Sequence, residues 1–394
     1  MNARMIGTKA YGIRAPIIKS GDDISEIVVN AALKAVKADN IALNDRDVIG
    51  VTEAVVAKAQ GNYATVRQIA GDVRQKTGGK KVGLVFPIFS RNRFSILLKA
   101  IAGGCDELFV QLSYPSDEVG NSLVPLDLIE EKGVNPFSDS FDEQAFRKIF
   151  GDRTIHTFTG VDYIDFYKSM DDNITVLLSN NPKNILKYTD CVIACDVHTR
   201  GRTKRRLEEA GAKTVLGLDD ILAEPFDGSG YNEHYGLLGS NKATEESVKL
   251  FPRDCDQYVL KIQKTLKEKT GKNIEVMIYG DGAFKDPACG IWELAVPVVS
   301  PAHTAGLSGT PNEIKLKFIA DNEFASLRGK ELEEAVKNSI RKKDGDLYGK
   351  MASEGTTPRH LTDLLGSLCD LVSGSGDKGT PIVLIQGYFD NYDV

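Results

Sequence analysis

The chain has 394 residues, 42% of them apolar and 26% charged, with a formal net charge of −6. That length suggests roughly two or three domains and is enough to bury a sizeable core. The negative balance excludes a chain-wide electrostatic footprint for nucleic acid, so an anionic ligand must be met by locally basic loops. No apolar run reaches the roughly 20 residues of a membrane-spanning helix. The first residues, M-N-A-R-M-I-G-T-K-A-Y, hold no long apolar core, so no signal peptide is expected. Six cysteines without a C-x-x-C pair point to reduced thiols and a cytoplasmic setting. Cys191 and Cys195 fall in an apolar run and read as buried strand cysteines rather than zinc ligands.

Pro16 to Lys19 form a short extended apolar segment, and Gly21 allows a turn. Asp22, Asp23 or Ser25 can cap the helix that follows, whose apolar residues Ile24, Ile27, Val28, Ala31, Ala32, Leu33 and Val36 suit one buried face. Asp47 to Thr52 reads as a buried strand, with Lys58 beyond it where a cation could meet an anion. The pattern then predicts a helix over Tyr63–Lys76, a strand in K-K-V-G-L-V-F-P, a helix over Phe94–Ala102 and a strand over Asp106–Leu112. This is a strand–helix–strand unit of the kind that builds parallel sheets. Residues 113–170 mix acidic and aromatic residues, among them Phe137, Phe141, Phe146, Phe150, Tyr163, Phe166 and Tyr167, which suit core or lid packing.

A second α/β run follows: strands at Ile174–Leu178, Cys191–Val197 and Thr214–Leu218, helices at Asn184–Tyr188 and Thr203–Ala210. Residues 81–222 thus read as one α/β unit. Glu224–Ala243 is glycine-rich loop plus a short strand. Glu245–Lys269 reads as a helical region broken near Pro252, Asn273–Tyr279 as a strand and Lys315–Ala320 as another. Glu331–Arg341 reads as an amphipathic helix, and a leucine-rich helix follows Asp363. Trp292, the single tryptophan, reads as core.

Four places could carry chemistry. Ser90-Arg91-Asn92-Arg93 and His198–Arg206, with Arg200 and Arg202, follow strands, where open parallel sheets bind ligands; the alternative is a solvated basic first helical turn. Asp281 lies between Gly280 and Gly282 at a strand end and could hold a hard cation, or be a tight Asp-Gly turn. Gly374, Gly376 and Gly379 spell G-x-G-x-x-G, but a helix precedes them and a strand follows, which reverses the dinucleotide fingerprint. Their successive N–H groups can instead form an anion-binding nest, with Lys378 adding charge. A Walker-type phosphate loop, H-E-x-x-H and G-x-S-x-G are absent, and the five histidines are scattered.

As an ordered set, these residues resemble the coenzyme F420-0 gamma-glutamyl ligase family. Pro16-Ile17-Ile18, Gly21-Asp22-Asp23, Asp47 to Thr52 and Ala57-Lys58-Ala59-Gln60-Gly61 match its Pro-Leu-Ile, Gly-Asp-Asp, D-V-x-V-V-T and S-K-A-E-G pieces. Gly236, Ser240 and Asn241 resemble A-G-I-D-x-S-N. Gly280-Asp281-Gly282 resembles T-D-T-x-G, Leu347-Tyr348-Gly349-Lys350 resembles L-Y-G-R, and residues 373–381 resemble M-G-E-G-x-x-G-x-P. The chain departs from the pattern at Ala57 and Gln60. It has Leu238 or Gly239 at a metal-binding aspartate, so that Asp227 or Glu233 substitutes or the metal site is altered. It has Ser375 at another metal-ligand position, where Asp377 is the nearby carboxylate. Of the arginine-rich stretch after Asp281, only Lys285 remains.

The resemblance implies an α/β (α+β) fold. A split ligase-like domain with mixed sheets, residues 1–80 and 223–394, would be interrupted by an inserted Rossmann-like parallel α/β domain, residues 81–222. It implies an amide ligase that uses GTP or ATP, with magnesium or manganese and in some members potassium, to join L-glutamate or a similar amino acid to a carboxylate acceptor. By the same token it implies a metal at Asp281, helped by Asp377 or Asp363, and catalytic roles for Asp281 and Lys58. Nucleotide contacts fall to Pro16, Ile17, Ile18, Lys58, Asn241 and the loop of Gly374, Ser375, Gly376, Asp377, Lys378 and Gly379. The acceptor would lie near Arg91, Arg93, Arg200 and Arg202. A homodimer, a folate-type acceptor and a catalytically reduced nucleotide- or metabolite-binding protein are further expectations.

Overall fold

A computed structural model describes residues 5–90, 93–156, 160–280, 284–285, 292–293, 300–343, 345–347, 350–353, 360–374 and 376–393. A five-stranded sheet joins the two ends of the chain. Its spatial order is Lys9–Ile13, Ile382–Gln386, Val48–Thr52, Glu275–Tyr279 and Ala302–His303. Val48–Thr52 is parallel to Glu275–Tyr279, with Thr52 opposite Tyr279. On its other side it is antiparallel to Ile382–Gln386, with Val51 opposite Ile382.

These three central strands are apolar on both faces because both faces are covered. Ile49, Val51, Val276, Ile278, Ile382 and Leu384 pack with the helices Ile24–Ala38 and Cys255–Thr270. The alternate residues Val48, Met277, Tyr279, Val383 and Ile385 pack with Leu365 and Cys369 of the helix Leu361–Val372. Gly50 is glycine for a steric reason: a Cβ there would lie 2.4 Å from the Cys369 sulfur. Of the three capping candidates for the first helix, Asp23 takes the role, its carboxylate accepting the Glu26 N–H at 3.1 Å.

The second sheet has six strands in the order Ser140–Asp142, Ile174–Ser179, Glu107–Leu112, Lys81–Val85, Cys191–Ala194 and Thr214–Gly217. All neighbours are parallel except the antiparallel edge strand Ser140–Asp142. From Lys81–Val85 the chain steps outward to Ile174–Ser179, then returns to Cys191–Ala194 on the other flank. The strand order therefore reverses between Lys81–Val85 and Cys191–Ala194. Its core takes in Ile69 and Val73 of the helix Val66–Thr77, and Leu237, Val248 and Leu250, as well as residues between 81 and 222. The aromatic residues of 113–170 mostly join that core, with Phe146 and Tyr167 fully buried, whereas Phe137 is 93% exposed. Among the described residues, no helix is long and apolar enough to cross a membrane.

Three local expectations change. Tyr63–Thr65 is a strand, paired with Ser247–Lys249, and the helix starts at Val66. Thr65 accepts the Gln68 N–H while Gln68 reaches back to the Thr65 N–H, a capping box that fixes the boundary. Ser247–Lys249 is likewise strand, and the helix of that region begins only at Cys255, beyond Pro252. Lys315–Ala320 was expected as a strand; the structure has a helix at Leu316–Asp321, where Ile319 is the buried residue. Cys191 and Cys195 are buried free thiols, and burial pushes both thiols up from their usual pKa.

Buried Asn62 ties the region between the sheets together. Its amide donates to the Tyr231 and Phe251 carbonyls at 3.0 and 2.6 Å, and its oxygen accepts the Tyr231 N–H at 2.9 Å. Asn62→Ala strands these buried groups, so it should cost about 2–4 kcal/mol in denaturant unfolding; a loss under about 0.5 kcal/mol would contradict this account.

Candidate functional site

The carboxyl end of the Val48–Thr52 strand is where distant segments meet. Thr52 donates its N–H to the Pro381 carbonyl at 3.0 Å, which sets the end of the 373–381 loop beside the strand end. Tyr279, opposite Thr52, leads into Gly280 at the same edge. The helix Glu53–Gln60 starts there and ends at Gly61, which has φ 63°. Gly61 cannot be another residue without movement, because a Cβ would lie 2.3 Å from the Ser20 hydroxyl.

That close approach brings the amino-terminal turn onto the helix end. Gly21 donates to the Ala59 carbonyl at 2.8 Å, and Ala15 donates to the Gly379 carbonyl at 3.2 Å. The glycine-rich loop is closed by reciprocal bonds between Gly374 and Thr380, at 3.4 and 3.2 Å, and by Gly379 N–H on the Gly376 carbonyl at 3.2 Å. The segment Ala15–Gly21 thus bridges Gly379 in the glycine-rich loop and Ala59 near the helix end, and links the three into one assembly. Within it Lys58, Asp377 and Lys378 are exposed, Ile17 is 84% exposed and Ile18 is buried.

Asn241 connects through a hairpin. It lies opposite Lys249, and the Lys249 ammonium sits 2.9 and 3.1 Å from the two carboxylate oxygens of Glu53. Glu53 is 4% exposed, and it opens the helix that carries Lys58. This buried pair was missed in the sequence. Its only signal is a glutamate where a buried strand passes into a helix.

Asp281, Ser375 and Arg91 lie outside the described residues. Asp363 opens the helix Leu361–Val372, whose far end feeds the glycine-rich loop, so about 15 Å of helix separates Asp363 from that loop. At the positions of the family aspartate, Leu238 packs against the core and Gly239 abuts Phe251, while Asp227 and Glu233 are exposed. Among the described residues, no three metal-ligating side chains gather.

The basic loops of the six-stranded sheet do flank the point where its strand order reverses. The loop after Lys81–Val85 is pinned by Asp117, whose carboxylate accepts the Phe89 N–H at 2.8 Å and the Asn121 N–H at 2.8 Å. Burial pushes that carboxyl up to about 6, against the pull of these hydrogen bonds. Much of the charge after Cys191–Ala194 is spent internally. Arg200 pairs with Asp219 at 2.8 Å and Lys204 with Asp220 at 2.6 Å. Where an anion would meet the start of the helix Arg200–Glu209, Glu118 already accepts the N–H groups of Val197, His198 and Thr199 at 2.6–3.2 Å. Arg202 is exposed, and Arg93 is half-buried ahead of the helix Phe94–Gly103.

A mixed sheet whose strand ends meet a glycine-rich loop and a lysine-bearing helix end defines an α/β protein in which both chain halves converge on one sheet edge. Residues 12–387 match the family model for F420-0:gamma-glutamyl ligase, and the chain belongs to that family. Among curated proteins it is similar to the coenzyme F420:L-glutamate ligase of Methanocaldococcus jannaschii, 25% identical over 188 residues that cover 46% of this chain and 57% of the relative. The protein of the same name from Methanothermobacter thermautotrophicus is 30% identical over 190 residues, with the same coverage. The one from Methanopyrus kandleri is 26% identical over 189 residues, 46% of this chain and 56% of the relative. The chain thus spans little more than half the length of the curated relatives it matches.

Lys249→Met should destabilise the protein by about 3–5 kcal/mol, because it removes the ammonium that neutralises the buried Glu53 carboxylate. Adding Glu53→Gln should recover most of that loss in the same unfolding measurement. A double variant as unstable as Lys249→Met alone would show that the pair is not the source.

Proposed function

We propose that the chain is a nucleotide-dependent amide ligase that joins L-glutamate, or a similar amino acid, to a carboxylate acceptor. Family membership supports the reading, and one observation carries it furthest: the segment Ala15–Gly21 is hydrogen-bonded at one end to Gly379 of the glycine-rich loop and at the other to Ala59 of the helix end that carries Lys58, beside the strand ends. In this reading residues 81–222 form an inserted unit, and the protein works in the cytoplasm as a homodimer.

The chemistry needs activation because a carboxylate oxygen is a poor leaving group. An acceptor carboxylate oxygen attacks the terminal phosphorus of GTP or ATP, and the nucleoside diphosphate leaves. The amine nitrogen then attacks the acyl phosphate carbon, phosphate departs with the bonding pair, and the nitrogen loses a proton. Lys58, Lys378 and the N–H groups of the loop hold the phosphates, Ile17 presents an apolar surface to the base, and Asn241 orients the nucleotide from the hairpin. Asp281, with Asp377, would hold magnesium or manganese, which neutralises phosphate charge when bound.

A second reading, a catalytically reduced nucleotide-binding protein, is favoured by the apolar packing of Leu238 and Gly239, which leaves no carboxylate there. Purified protein with GTP or ATP, magnesium, L-glutamate and candidate acceptors separates the two. The ligase reading expects phosphate release only when an acceptor is present. Asp281→Ala should abolish turnover, and Lys58→Ala should lower it about a hundredfold, as for loss of one transition-state donor. Tight nucleotide binding without release would favour the second reading, and full activity of Asp281→Ala would reject the metal assignment.

A further inference from the structure

The opposite edge of the five-stranded sheet carries a cavity of about 500 Å³. Arg46, just ahead of the strand Val48–Thr52, forms one wall, and the segment Tyr388–Tyr392, just after the strand Ile382–Gln386, forms another. The loop of residues 310–316 and Lys343 close the remaining sides. Val48–Thr52 has five residues at about 3.3 Å each, so the cavity lies about 16 Å from the strand-end assembly.

Its lining is aromatic. Tyr388 and Phe389 pack edge to face, with ring centroids 5.4 Å apart, and Tyr392 is 55% exposed. Arg46 has φ 64°, a left-handed conformation that a side chain disfavours. The Arg46 N–H is held on the Asn273 carbonyl at 2.8 Å, and the guanidinium lies 4.1 Å from the centroid of the Phe389 ring. Backbone held in such a conformation by its surroundings is a common property of ligand sites.

The charges are the second observation. Cations near the cavity are matched: Arg341 pairs with Asp393, and Lys337 with Glu333 at 2.7 Å. On the cavity itself, among the described residues, Arg46 and Lys343 have no carboxylate partner and Glu313 has no cationic one. Lys343 donates to the Asn312 carbonyl instead. Charges of both signs thus face one space without pairing. In water such charges lose little by standing apart, but a ligand that displaces the water strengthens each interaction. A molecule with one charge of each sign satisfies both kinds of wall, and a planar ring fits the aromatic faces between them. The volume lies within the range of small-molecule sites.

We infer that this cavity binds an aromatic amino acid. Its ring packs against Tyr388, Phe389 and Tyr392, its carboxylate meets Arg46 and Lys343, and its ammonium meets Glu313. The site is separate from the strand-end assembly, and the inference does not rest on the ligase reading.

The test is isothermal titration calorimetry of the full chain. The probes are L-tryptophan, L-alanine (both charges, no ring) and indole-3-propionate (ring and carboxylate, no ammonium). L-Tryptophan should bind at least about tenfold more tightly than either of the others, as for loss of a charged hydrogen bond or of ring burial. Arg46→Gly removes the guanidinium and suits the left-handed backbone; it should weaken L-tryptophan about tenfold. Glu313→Gln should weaken L-tryptophan by a similar factor and leave indole-3-propionate within about twofold. Neither variant should change the affinity for GTP with magnesium by more than about twofold. The inference is overturned if L-tryptophan does not bind, if L-alanine or indole-3-propionate binds as tightly, or if either variant binds L-tryptophan as well as the unaltered chain. Competition between L-tryptophan and GTP with magnesium would also overturn it, by placing the ligand at the strand ends. So would light scattering that shows Arg46→Gly splitting a dimer while L-tryptophan binding is unchanged, since the cavity would then be a contact between copies.

Discussion

The structure depends on the pairing of Val48–Thr52 on both of its edges. Its partners come from the far half of the chain, Glu275–Tyr279 in parallel and Ile382–Gln386 antiparallel. A buried strand must satisfy its N–H and C=O groups on both sides, so these pairings are obligatory once the apolar faces are covered. One consequence is positional. The antiparallel strand begins where the parallel pair ends, so the glycine-rich loop, the start of the helix Glu53–Gln60 and the exit at Gly280 share one edge. The register is further anchored at the opposite end, where the Gln386 amide donates to the buried Asp47 carboxylate at 2.7 Å.

The charges follow a second rule. Where burial is deep, each charged group shown here has its partner supplied by the chain: Glu53 has Lys249, and Asp117 has backbone N–H groups. At the strand-end assembly, by contrast, Lys58 and Lys378 are exposed at the rim. The six-stranded sheet has a strand-order reversal of the kind that binds ligands in open sheets, but its basic loop is largely occupied by its own acids. Basic residues counted along a sequence do not reveal how many remain for a ligand. That depends on which carboxylates the fold brings to them, and Asp219, Asp220 and Glu118 all arrive from other elements.

The long apolar strands were legible because burial on both faces leaves a continuous hydrophobic run, as in V-M-I-Y and I-V-L-I. The strand–helix alternation of 81–218 was legible for the same reason. Short elements were not. Tyr63–Thr65 is a strand only because it pairs with Ser247–Lys249, the second strand of the Asn241–Lys249 hairpin, a long-range fact absent from the three-residue stretch. Lys315–Ala320 alternates like a strand but forms a helix, since six residues give too short a window to separate the two periods. In the site, glycines carried the readable signal: Gly61 and Gly379 have φ values of 63° and 60° that favour glycine. The Glu53–Lys249 pair was illegible because its two halves lie on different elements with no motif between them.

The account stands on one claim, that the strand-end assembly closes on a nucleotide. Hydrogen–deuterium exchange of the full chain, with and without GTP and magnesium, reads it directly. The account predicts that peptides covering 15–21, 52–62 and 374–381 gain protection together, at the same nucleotide concentration. Binding that protects 86–90 and 195–203 instead, and leaves those three segments unchanged, would contradict it.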